Sequence, residues 1–312
     1  MKKKLITLIA GLSLVSASSF AGELTSLTSE AVLNDFDGGL EQVEWTLGKG
    51  SYKIDDTYKF TFDVDKDYIT DNSGAINPDN LGAKYQGWDT QFGIVQKMDK
   101  VGTWDLSLNY LLRYDDQWAV NTNDKELDNQ VDYIVSPYFS KDIKIAGKDY
   151  SAGVAVWAQV GGEKGKSVQD DNGFEVNGYL EGALTDKWYL SLAGYNWYYF
   201  DGTEDEYDYT LGTEDSLTYT LPLKGGLSFV LDSKLEAYYM PDRAKNVKNY
   251  TKIEAYVKPQ LRFTKKVADH LSWHAAVAYE AVSLLAKDSD SQTPTKVWSN
   301  NEMEITLGFK VK

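Results

Sequence analysis

The chain has 312 residues, with 47 acidic against 32 basic side chains and no cysteine. An acidic balance with no internal basic tract speaks against nucleic-acid binding, and the lack of cysteine excludes disulfides, thiolate chemistry and thiolate-held metals. The 22 tyrosines and 9 tryptophans suit a boundary between apolar and wet surroundings, because both rings are amphipathic.

The chain opens MKKKLITLIAGLSLVSASSFAGE: three lysines, an apolar run from Leu5 to Val15, then small residues up to Ala21. This is the pattern of a cleaved secretory signal peptide, too short and wrongly flanked for a membrane span. Loss of residues 1–21 leaves 312 − 21 = 291 residues, and removing Lys2, Lys3 and Lys4 takes the formal charge from −15 to −18. No composition break divides residues 22–312, which read as one domain. No later run of eighteen apolar residues occurs, so a helical membrane protein is excluded.

From Leu40 onward the chain alternates apolar and polar residues, the period of a pleated strand. The pattern is clearest in TWDLSLNYLLRY (Thr103 to Tyr114) and KIEAYVKPQLRF (Lys252 to Phe263). Thirteen segments of this kind lie between Leu40 and the C-terminus, and the weaker LTSEAVLN (Leu27 to Asn34) supplies a fourteenth. Short links, such as MDKVG at 98–102, TDK at 185–187 and KGG at 224–226, alternate with long polar ones at 67–84, 115–129, 161–173, 241–249 and 282–295. That rhythm predicts an all-β fold, a transmembrane antiparallel up-and-down β-barrel of about 14 strands with tight periplasmic turns and extended external loops. Rings near strand ends (Trp104, Tyr114, Trp188, Tyr219, Tyr250) fit aromatic girdles. Alternation also builds soluble sandwiches, including carbohydrate-binding ones, but these lack the systematic asymmetry of links. Pro137, Pro222 and Pro259 are expected near the periplasmic rim, where broken pairing is tolerated, and Pro78, Pro241 and Pro294 in external loops.

If the apolar parity faces lipid, the other faces inward. The pore-lining candidates on it are Glu44, Asp63, Asp105, Arg113, Asp132, Glu175, Glu181, Asp232, Lys234, Glu236, Lys252, Glu254, Lys258, Arg262, Glu302 and Glu304. So many charges cannot fill a dry core, since an unpaired buried ion costs several kcal/mol, so the interior is expected to be wet or laced with ion pairs. The acidic excess favours cations weakly. Lys234, Lys252, Lys258 and Arg262 gather on neighbouring strands. They form either a basic stripe that sets up a transverse field or partners for Asp232, Glu236 and Glu254. Inward rings at Trp157, Tyr179, Tyr189, Tyr195 and Tyr256 could stack sugars, although such rings also serve as packing.

Acidic runs such as DVDKD (63–67) lack the spaced ligands and glycine of a calcium loop and read as solvated loop charge; no metal or cofactor is expected. The two histidines, His270 and His274, cannot be assembled with a nucleophile into a catalytic set, so no catalytic residue is expected.

With its basic signal peptide, fourteen-strand rhythm and lack of cysteine, the chain resembles Gram-negative porins, and in size the OmpG-type monomeric porins. The wording YVKPQLRFTKKVADHLSWHAAVAYE (Tyr256 to Glu280) resembles the penultimate hairpin of the fusobacterial FomA-type major outer-membrane proteins. The resemblance implies passive diffusion of small hydrophilic solutes and ions across the cell outer membrane. Its partners would be lipid, lipopolysaccharide and the barrel-assembly machinery, with no cofactor and no nucleic acid. The chain departs from many such barrels by ending GFKVK, on lysine instead of phenylalanine. The competing expectations are an adhesion barrel with a plugged pore that meets host or bacterial surface partners, and an oligosaccharide-selective porin.

Overall fold

The computed structural model describes residues 23–36, 40–71, 83–119, 126–163, 172–200, 207–240, 250–280, 282–288, 295–297 and 302–311. The expected signal peptide, and much of the expected external loops with Pro78, Pro241 and Pro294, lie outside the described residues. The strands are β1 (Glu23–Phe36), β2 (Leu40–Lys53), β3 (Tyr58–Asp71), β4 (Ala83–Lys97), β5 (Asp105–Ala119), β6 (Glu126–Ile145), β7 (Lys148–Glu163) and β8 (Asn172–Ala183). They continue with β9 (Trp188–Phe200), β10 (Tyr207–Pro222), β11 (Leu227–Met240), β12 (Tyr250–Ala268), β13 (Leu271–Tyr279), β14 (Val282–Asp288), β15 (Thr295–Val297) and β16 (Glu302–Val311).

Each of β1 to β12 pairs antiparallel with its sequence neighbours. β13 pairs with β12 and β16, and β16 pairs with β1. The ring is therefore closed by fourteen staves, and closure leaves no strand edge for water or another chain to satisfy. The two remaining segments extend existing staves. β14 carries β13 upward along Thr251 to Val257 of β12, and β15 pairs briefly with β14 in line with β16. The expected fourteenth strand is present as β1, longer than the segment read from the sequence.

Two expectations need correction. The link expected over 282–295 is strand as far as Asp288, because the upper half of β12 needs a partner for its backbone groups. The sequence hides this because the parity slips. Tyr279 and Val282 belong to one parity with two residues between them, and the partner sum changes from Leu261↔Val277 to Val257↔Val282. This one-residue bulge sits opposite Pro259, which has no N–H to give the ladder. Pro259 is accordingly in mid-strand, nine residues before Ala268, and not at a rim. Pro137 is likewise in the body of β6, beside Ser136, where the β6–β7 register skips two pairs. Pro222 does end its strand.

The turns at the end carrying the termini of β1 and β16 are tight. Asp55 Oδ1 accepts the backbone N–H of Thr57 and Tyr58, each at 2.7 Å. Ala146 and Gly147 link β6 to β7 with φ of 51° and 80°, the two left-handed residues of a type I′ hairpin. Thr185 Oγ1 accepts from Trp188 N at 3.1 Å and closes the β8–β9 turn.

Curvature separates the two parities. On the convex face side chains splay: Leu33, Phe92, Ile94, Leu112, Tyr133, Val135, Val160, Phe174, Leu235, Leu261, Val277 and Leu307 are all exposed. On the concave face they converge, and Asp132, Ile134, Ser136, Asn177, Val230, Gln260, Ala278 and Thr306 are buried. Convex rings pack in pairs across strands, Trp188 with Tyr219 (centroids 4.8 Å), Trp273 with Phe309 (5.8 Å) and Phe174 with Tyr198 (5.4 Å). An exposed apolar belt around a closed ring is the outer surface of a transmembrane barrel. On β12 the belt runs from Ile253 to Phe263, roughly 33–36 Å along the strand and about 25 Å in height after tilt. Lys66 lies on this face near the end with longer links, its Nζ 4.1 Å from the centroid of Trp88 and 5.2 Å from that of Tyr68. That is the place where a long cationic side chain reaches headgroups while its stem stays apolar.

The belt makes a testable claim. Leu307→Lys places an ammonium on the apolar face and is expected to destabilise the barrel by about 2–4 kcal/mol if it lies near the midplane. Urea unfolding in lipid vesicles checks it, and an unchanged midpoint would place Leu307 away from lipid.

Candidate functional site

The concave face carries the candidate residues, and they form three zones. The first covers β2 to β5. Glu44 lies directly across from Asp67, and Asp65, Asp89 and Asp115 follow one another as cross-strand neighbours on β3, β4 and β5. Lys49 reaches Asp63 at 2.6 Å. Like charges facing each other across a ladder repel, so this acidic arc calls for mobile cations and water. From the sequence alone, Asp65, Asp67 and Asp115 fall in expected loops or at their edges. They are strand residues, because β3 runs to Asp71 and β5 to Ala119. The signal was available: the parity of Asp63 continues unbroken through Asp65 and Asp67.

The second zone is a set of bonded charges. Arg113 donates to Asp132 Oδ2 from Nε at 3.0 Å and from Nη2 at 2.8 Å, and to Gln159 Oε1 at 3.4 Å. Gln130 Nε2 donates to both oxygens of Asp132, at 3.0 and 3.1 Å. Asp132 has a side chain only 2% exposed, so its charge depends on these donors. Lys258 reaches Glu304 at 3.1 Å across β13, where the small buried Ala278 stands directly beside Glu304. Lys234 pairs with Glu236 and lies 3.7 Å from Glu214, and Arg262 donates to Gln260 Oε1 at 2.7 Å. Asp232 accepts from Thr218 at 2.9 Å, and Thr306 Oγ1 donates to Glu304 at 3.0 Å. Lys234, Lys258 and Arg262 are thus each engaged by an acid or an amide, the arrangement in which they act as partners and not as a bare stripe. Glu254 stands across from Glu236. The side chains of Lys252 and Glu302 lie outside the described residues.

Asp105 lies at the start of β5 and meets Lys100 at 2.9 Å, both well exposed. Glu181, near the end of β8, is also exposed. These two sit at the end with the tight turns. His274 Nε2 lies 3.0 Å from Glu30 Oε2, and its ring covers Gly308 on the strand between them. Among the described residues no group of three or more acids and histidines has the geometry to hold a metal ion.

The third zone is aromatic and runs from β6 to β11. Tyr138 contacts Tyr179 (centroids 6.5 Å), Tyr179 contacts Tyr195 (6.3 Å), Tyr195 contacts Trp197 (5.4 Å) and Trp197 contacts Tyr238 (5.7 Å). Of the rings singled out in the sequence, Tyr179 and Tyr195 are brought together here. Tyr256 instead lies under Lys258, 5.4 Å from its Nζ. Trp197 was missed because aromatics fall on both faces of β9, and Tyr138 and Tyr238 because each stands next to an aromatic of the other parity, Phe139 and Tyr239, so that only the register tells them apart. Glycines make the chain of rings continuous. A Cβ at Gly153 would meet the Tyr138 ring, and one at Gly212 the Tyr238 ring, so each ring lies flat across the neighbouring strand.

No family model matches the sequence, and no curated protein matches it. Among solved structures the chain is similar to OccAB2 of Acinetobacter baumannii, at 11% identity over 91% of this chain and 96% of that one, with a TM-score of 0.42. It is similar to an outer-membrane channel from Pseudomonas putida F1 (11% identity, 94% and 97% coverage, TM-score 0.41) and to OmpT, an outer-membrane protein of Vibrio cholerae (10%, 94% and 98%, 0.39). At that level of likeness, only the chain's own geometry speaks to function.

Two substitutions check the zones. Arg113→Ala strands the Asp132 charge and is expected to cost roughly 3 kcal/mol, while the double variant Arg113→Ala/Asp132→Ala costs less than the sum of the single ones. Gly212→Ala pushes Tyr238 off the wall and is expected to cost about 1–3 kcal/mol as overpacking. Urea midpoints of the detergent-solubilised barrel measure both.

Proposed function

We propose that this chain is an outer-membrane porin, exported by a signal peptide that is removed after Ala21, which lets small hydrophilic solutes and ions diffuse through a water-filled lumen with a weak preference for cations. The observation that carries this reading is the acidic arc, Glu44 facing Asp67 and Asp65, Asp89 and Asp115 in a row, on the concave face of a fourteen-stave ring. Side chains fill barrels of about eight strands, and wider rings leave a channel. Carboxylates set against each other in such a channel are supported by water and passing cations, which lowers the barrier for cation entry. The pore-lining residues on this reading are the sixteen named from the sequence, joined by Asp65, Asp67, Asp89 and Asp115. Lipid and lipopolysaccharide would contact the convex belt, and no step of the function needs catalysis or a cofactor.

Planar-bilayer recordings of the purified barrel test this directly. Stepwise ohmic conductance is expected, with a reversal potential in a potassium chloride gradient on the cation side. The triple variant Glu44→Gln/Asp65→Asn/Asp89→Asn is expected to move that potential toward zero while the steps persist. Folded protein without conductance would defeat the porin reading, and chloride preference in the unaltered protein would defeat the cation assignment.

A further inference from the structure

The proposed passage of ions leaves the aromatic chain on β6 to β11 without a role, yet it is built continuously across six strands. Five strand intervals of about 4.8 Å give it a span of roughly 24 Å along the wall. Because staves of such a barrel tilt by about 35–45°, a path across them also climbs, by roughly 15 Å along the axis. The rings therefore trace an oblique track through the interior and not a level girdle. Tyr138, Tyr179, Tyr195 and Trp197 are all partly exposed on the concave face, and Tyr238 forms the buried end.

The polar groups beside the track are occupied in a way that sets its chemistry. Asn177 Nδ2 donates to Glu175 Oε2 at 2.8 Å, the Tyr238 hydroxyl donates to Glu214, and Lys234 lies between Glu214 and Glu236. The acids on this wall, Glu175, Glu214 and Glu236, are thus each bonded by an amide, a phenol or Lys234, in contrast to the carboxylates that face one another on β2 to β5. What the wall offers is ring faces edged by hydroxyls, an amide and carboxylates that retain acceptor capacity. A solute that matches it has an apolar face and a rim of hydroxyls, which describes a pyranose ring. A chain of pyranoses presents that face repeatedly, as the track does.

We propose that this track binds neutral oligosaccharides and guides them through the lumen. The proposal rests on the porin reading for passage but not for binding. Each sugar stacks on a ring face and bonds through its hydroxyls to Glu175 or Glu214. Gly153 and Gly212 hold the outer rings against the wall, so that the track guides the solute without closing the channel.

The test uses maltohexaose and cellohexaose as probes, with a polyethylene glycol of similar size as the control that has no stacking face. In planar bilayers at least one hexasaccharide is expected to produce saturable blocks of the ion current, and the glycol to produce none. Trp197→Ala and Tyr195→Leu are each expected to raise the half-blocking concentration about fivefold, equivalent to about 1 kcal/mol. Tyr138→Phe, which keeps the ring, is expected to leave it within about twofold, less than 0.5 kcal/mol. Heat-modifiable gel mobility establishes that each variant is folded, and an unfolded variant is replaced by Trp197→Leu or Tyr179→Leu with the same expectation. Equal reduction of current by sugars and glycol, unchanged blocking in the ring-removing variants, or stronger blocking by tetraethylammonium than by either sugar would each overturn the proposal. If the barrel conducts no ions, the porin reading fails alone. Tryptophan-fluorescence titration of the detergent-solubilised barrel with the same sugars then decides the track, a saturable change supporting it and a flat response overturning it.

Discussion

Within an apolar slab no water is present to satisfy a backbone N–H or C=O, and a sheet survives there only if it closes on itself. That constraint governs this structure. It requires β16 to find β1, and it requires the upper half of β12 to find β14 once β13 has slipped by one residue. It also explains where irregularity is allowed. Pro137 and Pro259 each remove a donor in mid-strand, and each stands beside a local break in the ladder, a skipped pair of residues in one case and a bulge in the other. The interruption is confined to one side of the proline's strand, and the ring continues around it.

The same geometry shapes the interior. Long side chains on the concave face reach sideways across small residues of the neighbouring strand: Tyr138 over Gly153, Tyr238 over Gly212, Asp132 against Gly161, His274 over Gly308, and Lys258 across the strand of Ala278 to Glu304. Lying along the wall lets charges find partners and rings find one another without meeting in the middle. Small residues here serve as clearances, and their placement sorts the interior into a charged arc, a paired region and an aromatic track.

The strand count and the two parities were legible in the sequence because a period of two is written into every stave. Even Leu27 to Asn34, the weakest segment, lies within a strand. Three things were not legible. Strand ends beyond the apolar belt carry polar residues on both faces, so Asp65, Asp67 and Asp115 read as loop until the register placed them. The bulge after Tyr279 inverts the parity and disguises β14 as part of a loop. Contacts between strands, such as Tyr179 with Tyr195 or Lys258 with Glu304, depend on register, which alternation alone leaves free to slide in steps of two.

The contact of His274 with Glu30 joins residues 244 positions apart, across the seam where the final strand meets the first. The edge of β1 stays open until β16 pairs with it, whatever the order in which the other staves form. The imidazole, the carboxylate and the bare Gly308 beneath them act as a latch that engages only after the last stave is in place. It marks the moment when an open, aggregation-prone sheet becomes a finished vessel.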